Sequence, residues 1–181
     1  MKLNKLAMVL GFGVALTAGA ASAAPTEGNG TVKFRGSIID APCSIKNTNV
    51  EVDMGAVSSN ALKDGGRSAS KSFKIELEGC TLGTKSGVIT TFTGAEASEK
   101  GLLAIEGTAQ GAAIAITNHG NKVIPLGTAS DSMSIHDGNN DLNFAAHLKG
   151  LTSQAGEEGA TPVKVVAGDF TAIANFTLSY Q

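Results

Sequence analysis

Apolar and polar residues alternate with a period of two along much of this chain, and this pattern restricts it to a β fold. Successive side chains of a strand point to opposite faces, so strict alternation is typical of a strand with one buried side. No amphipathic pattern is long enough for a helix of three turns. The longest alternation runs through Phe170, Ala172, Ala174, Phe176, Leu178 and Tyr180, which share one face.

The same pattern predicts several further strands, each bounded by turn signals. They cover residues 32–38, 73–77, 88–92 and 142–148, and residues 112–117 and 122–126 flank a short loop. Many short strands separated by turns are typical of a β-sandwich. The sequence shows no internal repeat and no linker to a second domain, so we predict one all-β domain.

The first 23 residues have the features of a secretory signal peptide. Lys2 and Lys5 precede an apolar run over residues 6–20, and Ala21-Ser22-Ala23 is a small-x-small cleavage pattern. The apolar run is shorter than the roughly 20 residues of a membrane-spanning helix. We therefore expect cleavage after Ala23 and export of the rest of the chain.

Export would place the two cysteines, Cys43 and Cys80, in an oxidising compartment. An even number of cysteines in an oxidising compartment predicts a disulfide, here closing a loop of about 38 residues. The alternative is a free catalytic thiol, which needs a histidine partner. No local motif supplies that partner, so we favour the disulfide.

Composition and motifs argue against nucleic-acid binding and catalysis. The net charge is −2 and the isoelectric point about 5.9, whereas nucleic-acid-binding domains usually carry basic clusters. His119, His136 and His147 form no H-E-x-x-H pattern, and the chain has no G-x-S-x-G elbow. We expect no enzyme activity, no cofactor or metal, and neither nucleic acid nor a small-molecule substrate as a partner.

Both ends of the exported chain carry a predicted strand that lacks an obvious partner. The strand over residues 32–38 follows a polar leader, and the final strand contains no proline and only Asp169 as a charge near its start. Long apolar edges are normally blunted by charge or proline. Copies of this chain are therefore expected to join head to tail.

Four stretches, residues 30–43, 73–80, 140–146 and 168–181, carry a family pattern. The last has a penultimate tyrosine, Tyr180, and a glycine fourteenth from the end, Gly168. With the signal peptide and the two cysteines, these stretches resemble the major pilins of chaperone–usher fimbriae, close to type 1 and MR/P-like subunits.

The resemblance implies an immunoglobulin-like sandwich that lacks its last strand and has a groove beside its C-terminal strand. A periplasmic chaperone would fill the groove first. At the outer-membrane usher, the N-terminal strand of the next subunit would replace the chaperone's strand, a form of β-strand addition. The implied boundaries are 24–39 for a donor-strand extension and 40–181 for the pilin domain.

The resemblance also implies roles for individual residues. Val32, Phe34 and Ile38 would enter a neighbour's groove, with Gly36 at a shallow position or, alternatively, at a simple bulge. The groove edge that binds the chaperone would comprise Gly168, Phe170, Phe176, Leu178 and Tyr180. Alternatively, Phe170, Phe176 and Leu178 are ordinary core residues and Tyr180 is an ordinary aromatic residue at the end of a strand.

The function implied is that of a structural subunit of a cell-surface fimbria that supports adhesion. Its partners would be identical or related pilins, the chaperone and the usher, after export through the periplasm. The alternatives are a minor adaptor or adhesive subunit of the same fimbria and a self-sufficient periplasmic sandwich. We do not expect a two-domain adhesin, since the residues between the predicted cleavage site and Cys43 are too few for a lectin domain.

Overall fold

The computed structural model of this 181-residue chain describes residues 30–36, 38, 41–152 and 163–181. The chain divides into two units, Met1–Ile38 and Ile39–Gln181. The predicted signal peptide lies outside the described residues. Within the described ranges, no helix is both long enough and apolar enough to cross a membrane.

The second unit is built of β-strands with a short 3-10 helix, Ser59–Gly65. The strands, in chain order, are β1 (Ser44–Ile45), β2 (Lys71–Cys80), β3 (Gly87–Gly94), β4 (Leu103–Ala104), β5 (Glu106–Gly107), β6 (Ala112–Asn118), β7 (Met133–Ser134), β8 (Gly138–Gly150), β9 (Phe170–Thr171) and β10 (Ala174–Tyr180).

Two antiparallel sheets contribute to one core. The first has the order β1-β2-β8-β6-β4 and the second β10-β3-β7, while β5 and β9 form a separate pair. The Phe144 ring of β8 lies 5.7 Å from that of Phe73 in β2 and 5.1 Å from that of Phe92 in β3. Burying these rings removes a large apolar area from water and ties the two sheets together. The predicted all-β sandwich is confirmed.

In the second unit, every predicted strand but one has a counterpart in the structure. The predicted strand over residues 122–126 is reduced to a single bridge between Val123 and Thr117. The chain reverses through Asn121, which has a φ of 61°, and the Ile124 N–H donates to the Ile116 carbonyl at 2.8 Å. The segment turns away after this contact, so it does not continue as a strand beside β6.

The predicted disulfide between Cys43 and Cys80 is confirmed. The two Cα atoms are 4.1 Å apart, the residues are 37 positions apart, and both side chains are buried. The bond joins the residue before β1 to the last residue of β2. It therefore fixes the start of the segment that leads from β1 into residues 49–57.

Removal of this disulfide should destabilise the domain by about 4 kcal/mol, because it frees the loop in the unfolded chain. We expect Cys43→Ser to lower the melting temperature by on the order of 15 °C and to lower the amount of subunit in the periplasm. The Cys43→Ser/Cys80→Ser double variant is the matched control, and its melting temperature should equal that of the single variant. A fully abundant Cys43→Ser subunit with an unchanged melting temperature would show that the bond is dispensable.

Candidate functional site

A groove of about 940 Å³ runs along the second unit. Two continuous segments line it: residues 49–57, called the first wall, and residues 165–174, called the second wall. The floor between them is apolar. It includes Leu62, Phe73, Phe92, Leu103, Ile105, Ile114, Ile116 and Leu148.

The second wall contains a strand edge that has no partner. In the part of the chain that the structure describes, β9 pairs only with β5 and β10 pairs only with β3, so each has one edge free. The predicted alternation holds here: Phe170 and Ala172 are half-buried against the core, whereas Ile173 is 79% exposed. An apolar face that remains half-open indicates that the sandwich is not closed on this side.

Sequence reasoning missed the first wall, although residues 50–54 show the same alternation. Val50, Val52 and Met54 are half-buried, and Glu51 and Asp53 are exposed. The signal was the sequence Val-Glu-Val-Asp-Met, which has a period of two.

The backbone of the first wall forms no strand. Among the described residues, its only backbone hydrogen bonds go to nearby side chains. Asn49 N–H donates to Asn47 Oδ1 at 3.1 Å, and Gly55 N–H donates to Asp53 Oδ1 at 2.8 Å. Most buried backbone groups are paired in native proteins, so this wall has hydrogen-bonding groups available for another strand.

The residues predicted to form the groove edge divide into two sets. Gly168 and Phe170 line the groove, whereas Phe176, Leu178 and Tyr180 lie further along β10, half-buried against the core. Burial raises the pKa of the Tyr180 hydroxyl. The role of these five residues in binding a chaperone stays a prediction.

The end of β10 is held by its backbone. The Gln181 carbonyl accepts hydrogen bonds from Ser86 N–H at 2.8 Å and Gly87 N–H at 3.1 Å, and Gln181 N–H donates to the Gly87 carbonyl at 2.9 Å. These bonds extend the β10–β3 ladder to the last residue, which keeps the free edge of β10 in place.

Gly168 is required by a close approach of two backbone segments. A Cβ atom at this position would stand 2.6 Å from the Ala109 backbone nitrogen and would also meet the Thr108 hydroxyl. The same contact is hydrogen-bonded, because Thr108 N–H donates to the Asp169 carbonyl at 2.9 Å. The glycine therefore allows the second wall to lie against residues 108–109.

We expect Gly168→Ala to destabilise the domain by about 1–3 kcal/mol, since backbone atoms on both sides must move to admit the methyl group. Gly120→Ala is the matched control: its Cβ would meet only the Asn118 side chain at 3.4 Å. Urea unfolding should show a midpoint lower by about 1 M for Gly168→Ala and almost no change for Gly120→Ala. Equal midpoints would contradict the tight contact.

The predicted N-terminal strand is not a strand in this single chain. The described residues 30–36 and 38 have no strand partner, and Val32, Phe34 and Ile38 are 76%, 89% and 104% exposed. Alternation decides which side chains share a face, but a strand also needs a neighbour for its hydrogen bonds. The donor role of Val32, Phe34, Gly36 and Ile38 stays a prediction.

Comparison with known proteins places this architecture in a family. The family model described as fimbrial protein matches residues 32–181. The chain is 57% identical over 185 residues to the major MR/P fimbria protein of Proteus mirabilis (strain HI4320), with all of both chains covered. It is 50% identical over 186 residues to the fimbria A protein of Serratia marcescens, again with all of both chains covered.

Solved structures agree with this assignment. The crystal structure of the P pilus rod subunit PapA superposes with a TM-score of 0.65 at 30% identity, covering 78% of this chain and all of that one. A chaperone–usher pilus structure has the same TM-score at 33% identity and covers 87% of this chain and all of that one.

The fold and the relatives together define the class of protein, an immunoglobulin-like pilin with an unclosed side. The chain belongs to the family of fimbrial proteins. It is a structural subunit of a fimbria, a fibre at the cell surface that is reached through the periplasm, and it is not an enzyme.

Proposed function

We propose that the subunits polymerise by donor-strand exchange, in which residues 30–38 of one copy enter the groove of the next. The observation that carries this proposal is the groove itself, because it has a free strand edge on one wall and unpaired backbone on the other. A strand laid between the two walls can form hydrogen bonds on both sides. It would complete the sandwich with the strand that a single chain lacks.

The alternation in residues 32–38 suits an extended segment. A strand rises about 3.3 Å per residue, so residues 32–38 span roughly 20 Å. Val32, Phe34 and Ile38 would then project onto the apolar floor, where each side chain gains roughly 1.5–3 kcal/mol on full burial. The same three side chains are exposed to water in the single chain.

The groove supports a strand better than a small ligand. Small-molecule pockets usually combine an apolar lining with a few convergent polar side chains. Here the unsatisfied polar groups belong to the backbone of the first wall, where they are spaced along the chain. In addition, the described residues contain no group of three or more side chains that could hold a metal ion.

We also propose that a periplasmic chaperone and an outer-membrane usher take part in this function, because the groove is open in the single chain. A free, apolar strand edge is a site of uncontrolled association. A chaperone that lends a strand to the edge of β10 would protect it until the donor segment of the next copy arrives at the usher. Phe170, Phe176, Leu178 and Tyr180 would form the face that the lent strand covers, and Gly168 would let the second wall lie close against residues 108–109.

Deletion of Tyr180 and Gln181 tests the chaperone edge. The deletion removes a half-buried aromatic ring and the hydrogen bonds to Ser86 and Gly87. We expect the periplasmic level of the subunit to fall several-fold, since a loss of 1–2 kcal/mol can change abundance by that much. Chaperone co-purification should fall with it.

The control for this deletion is Gln181→Ala, which keeps Tyr180 and the backbone bonds. Its level and its chaperone co-purification should match those of the unaltered chain. If the chain that lacks Tyr180 and Gln181 is as abundant as the unaltered chain and co-purifies normally with the chaperone, the edge of β10 is not part of the chaperone-binding site.

A further inference from the structure

The outer face of the proposed donor segment is basic. Lys33 and Arg35 alternate with Val32 and Phe34 and are exposed, and residues 30–38 contain no acidic residue. Successive side chains of a strand point to opposite sides. When Val32 and Phe34 face the floor of a groove, both cations therefore stand on its solvent side.

The two walls of the groove carry carboxylates on that same solvent side. Glu51 and Asp53 of the first wall are exposed and alternate with the half-buried residues of that wall. Asp169 of the second wall is exposed. Glu106 of β5, which belongs to neither wall, is also exposed and lies opposite Thr171 of the second wall. We call these four carboxylates the acidic rim.

The acidic rim has no ion pair within the part of the chain that the structure describes. Among the described residues, none of its four carboxylates takes part in an ion pair. Lys71 stands beside the first wall, with its Nζ 3.9 Å from where a Cβ on Gly55 would lie, yet it forms no ion pair with Glu51 or Asp53. The rim therefore presents free negative charge along both sides of an apolar groove.

We propose that the acidic rim recognises Lys33 and Arg35 of the next copy as its donor segment enters the groove. The proposal rests on donor-strand exchange at this groove. Adjacent strands lie about 4.8 Å apart, so outward side chains on the donor segment and on the walls come within ion-pair reach. Complementary charge acts mainly on the rate of encounter and on the choice of partner. The apolar face would hold the segment, and the charges would select it and speed its entry.

A charge swap tests this pairing in the full-length chain. Three variants are needed: Lys33→Glu/Arg35→Glu on the donor segment, Glu51→Lys/Asp53→Lys on the first wall, and the chain with all four changes. The measurement is the rate of polymer formation by the purified full-length chain in about 20 mM and about 500 mM salt, which differ several-fold in screening length. Phe34→Asp is the reference variant, because it disables the apolar face and leaves both cations in place.

At low salt we expect each double variant to polymerise about tenfold more slowly than the unaltered chain. The chain with all four changes should recover most of the rate, because a donor segment with negative charges then meets a first wall with positive charges. At high salt the differences should shrink to about twofold or less.

The proposed pairing would be overturned if the double variants polymerise slowly and the fourfold variant does not recover. It would also be overturned if the polymerisation rate changes neither with the charge substitutions nor with salt. In that case Phe34→Asp shows which idea has failed. If Phe34→Asp blocks polymerisation while the charge variants polymerise at the unaltered rate, donor-strand exchange at the groove is supported and recognition by charge is refuted. If Phe34→Asp polymerises at the unaltered rate, donor-strand exchange at the groove is refuted as well.

Discussion

A chain whose groove is filled by its own donor segment should unfold at a temperature at least about 15 °C above that of the same chain with an empty groove. Two variants that both lack residues 24–38 make the comparison. One ends at Gln181, and the other continues through a short flexible linker into a copy of residues 30–39. Burial of Val32, Phe34 and Ile38 provides several kcal/mol, and each kcal/mol shifts the melting temperature of a domain of this size by about 4 °C.

The control is the same extended chain with Phe34→Asp and Ile38→Asp in the appended segment. It has an equal length and linker, so it separates filling of the groove from the effect of a longer chain. We expect its melting temperature to equal that of the chain that ends at Gln181. If all three chains melt together, the sandwich is self-sufficient and does not need a donor strand.

Phe34→Asp in the full-length chain should reduce incorporation into fibres at least about 100-fold. An ionised carboxylate placed against the apolar floor loses its hydration without gaining a partner, at a cost of several kcal/mol. Chaperone binding should be unaffected, because Phe34 belongs to the donor segment and not to the walls of the groove. Quantification of surface fibres, together with a chaperone pull-down, measures the two effects in the same cells.

Lys33→Ala is the matched control for Phe34→Asp. It changes the net charge by the same amount at the adjacent position, but its side chain faces solvent in the proposed complex. We expect it to lower incorporation by no more than a few-fold. Equal loss of incorporation and chaperone binding in Phe34→Asp would instead show that the donor segment and the groove do not have separate roles.

The strands with clear alternation could be predicted from the sequence. β2, β3 and β8 occur where the period of two places them, and their inward residues form the core. The C-terminal alternation, predicted as one strand from Phe170 to Tyr180, is divided into β9 and β10, with residues 172–173 in neither strand. The disulfide could also be predicted, because export and an even number of cysteines point to a single pair. In each case a local pattern was sufficient, since the side of a strand that faces the core depends on its own residues.

The groove could not be derived from alternation. Residues 50–54 and 32–38 alternate as clearly as β2 does, yet no described residue of either segment belongs to a strand. A strand exists only where a neighbour supplies hydrogen bonds, and a local pattern does not record whether that neighbour is present.

The sequence by itself determined the β class, the disulfide, and the apolar faces of both the donor segment and β10. The tertiary structure alone decided which edges remain open. β10 stands at the end of its sheet beside β3, and the first wall, which lines the same groove as the start of β10, has no strand partner among the described residues. The physical reason is that strand order arises from long-range pairing across the whole domain, whereas alternation is a property of adjacent residues.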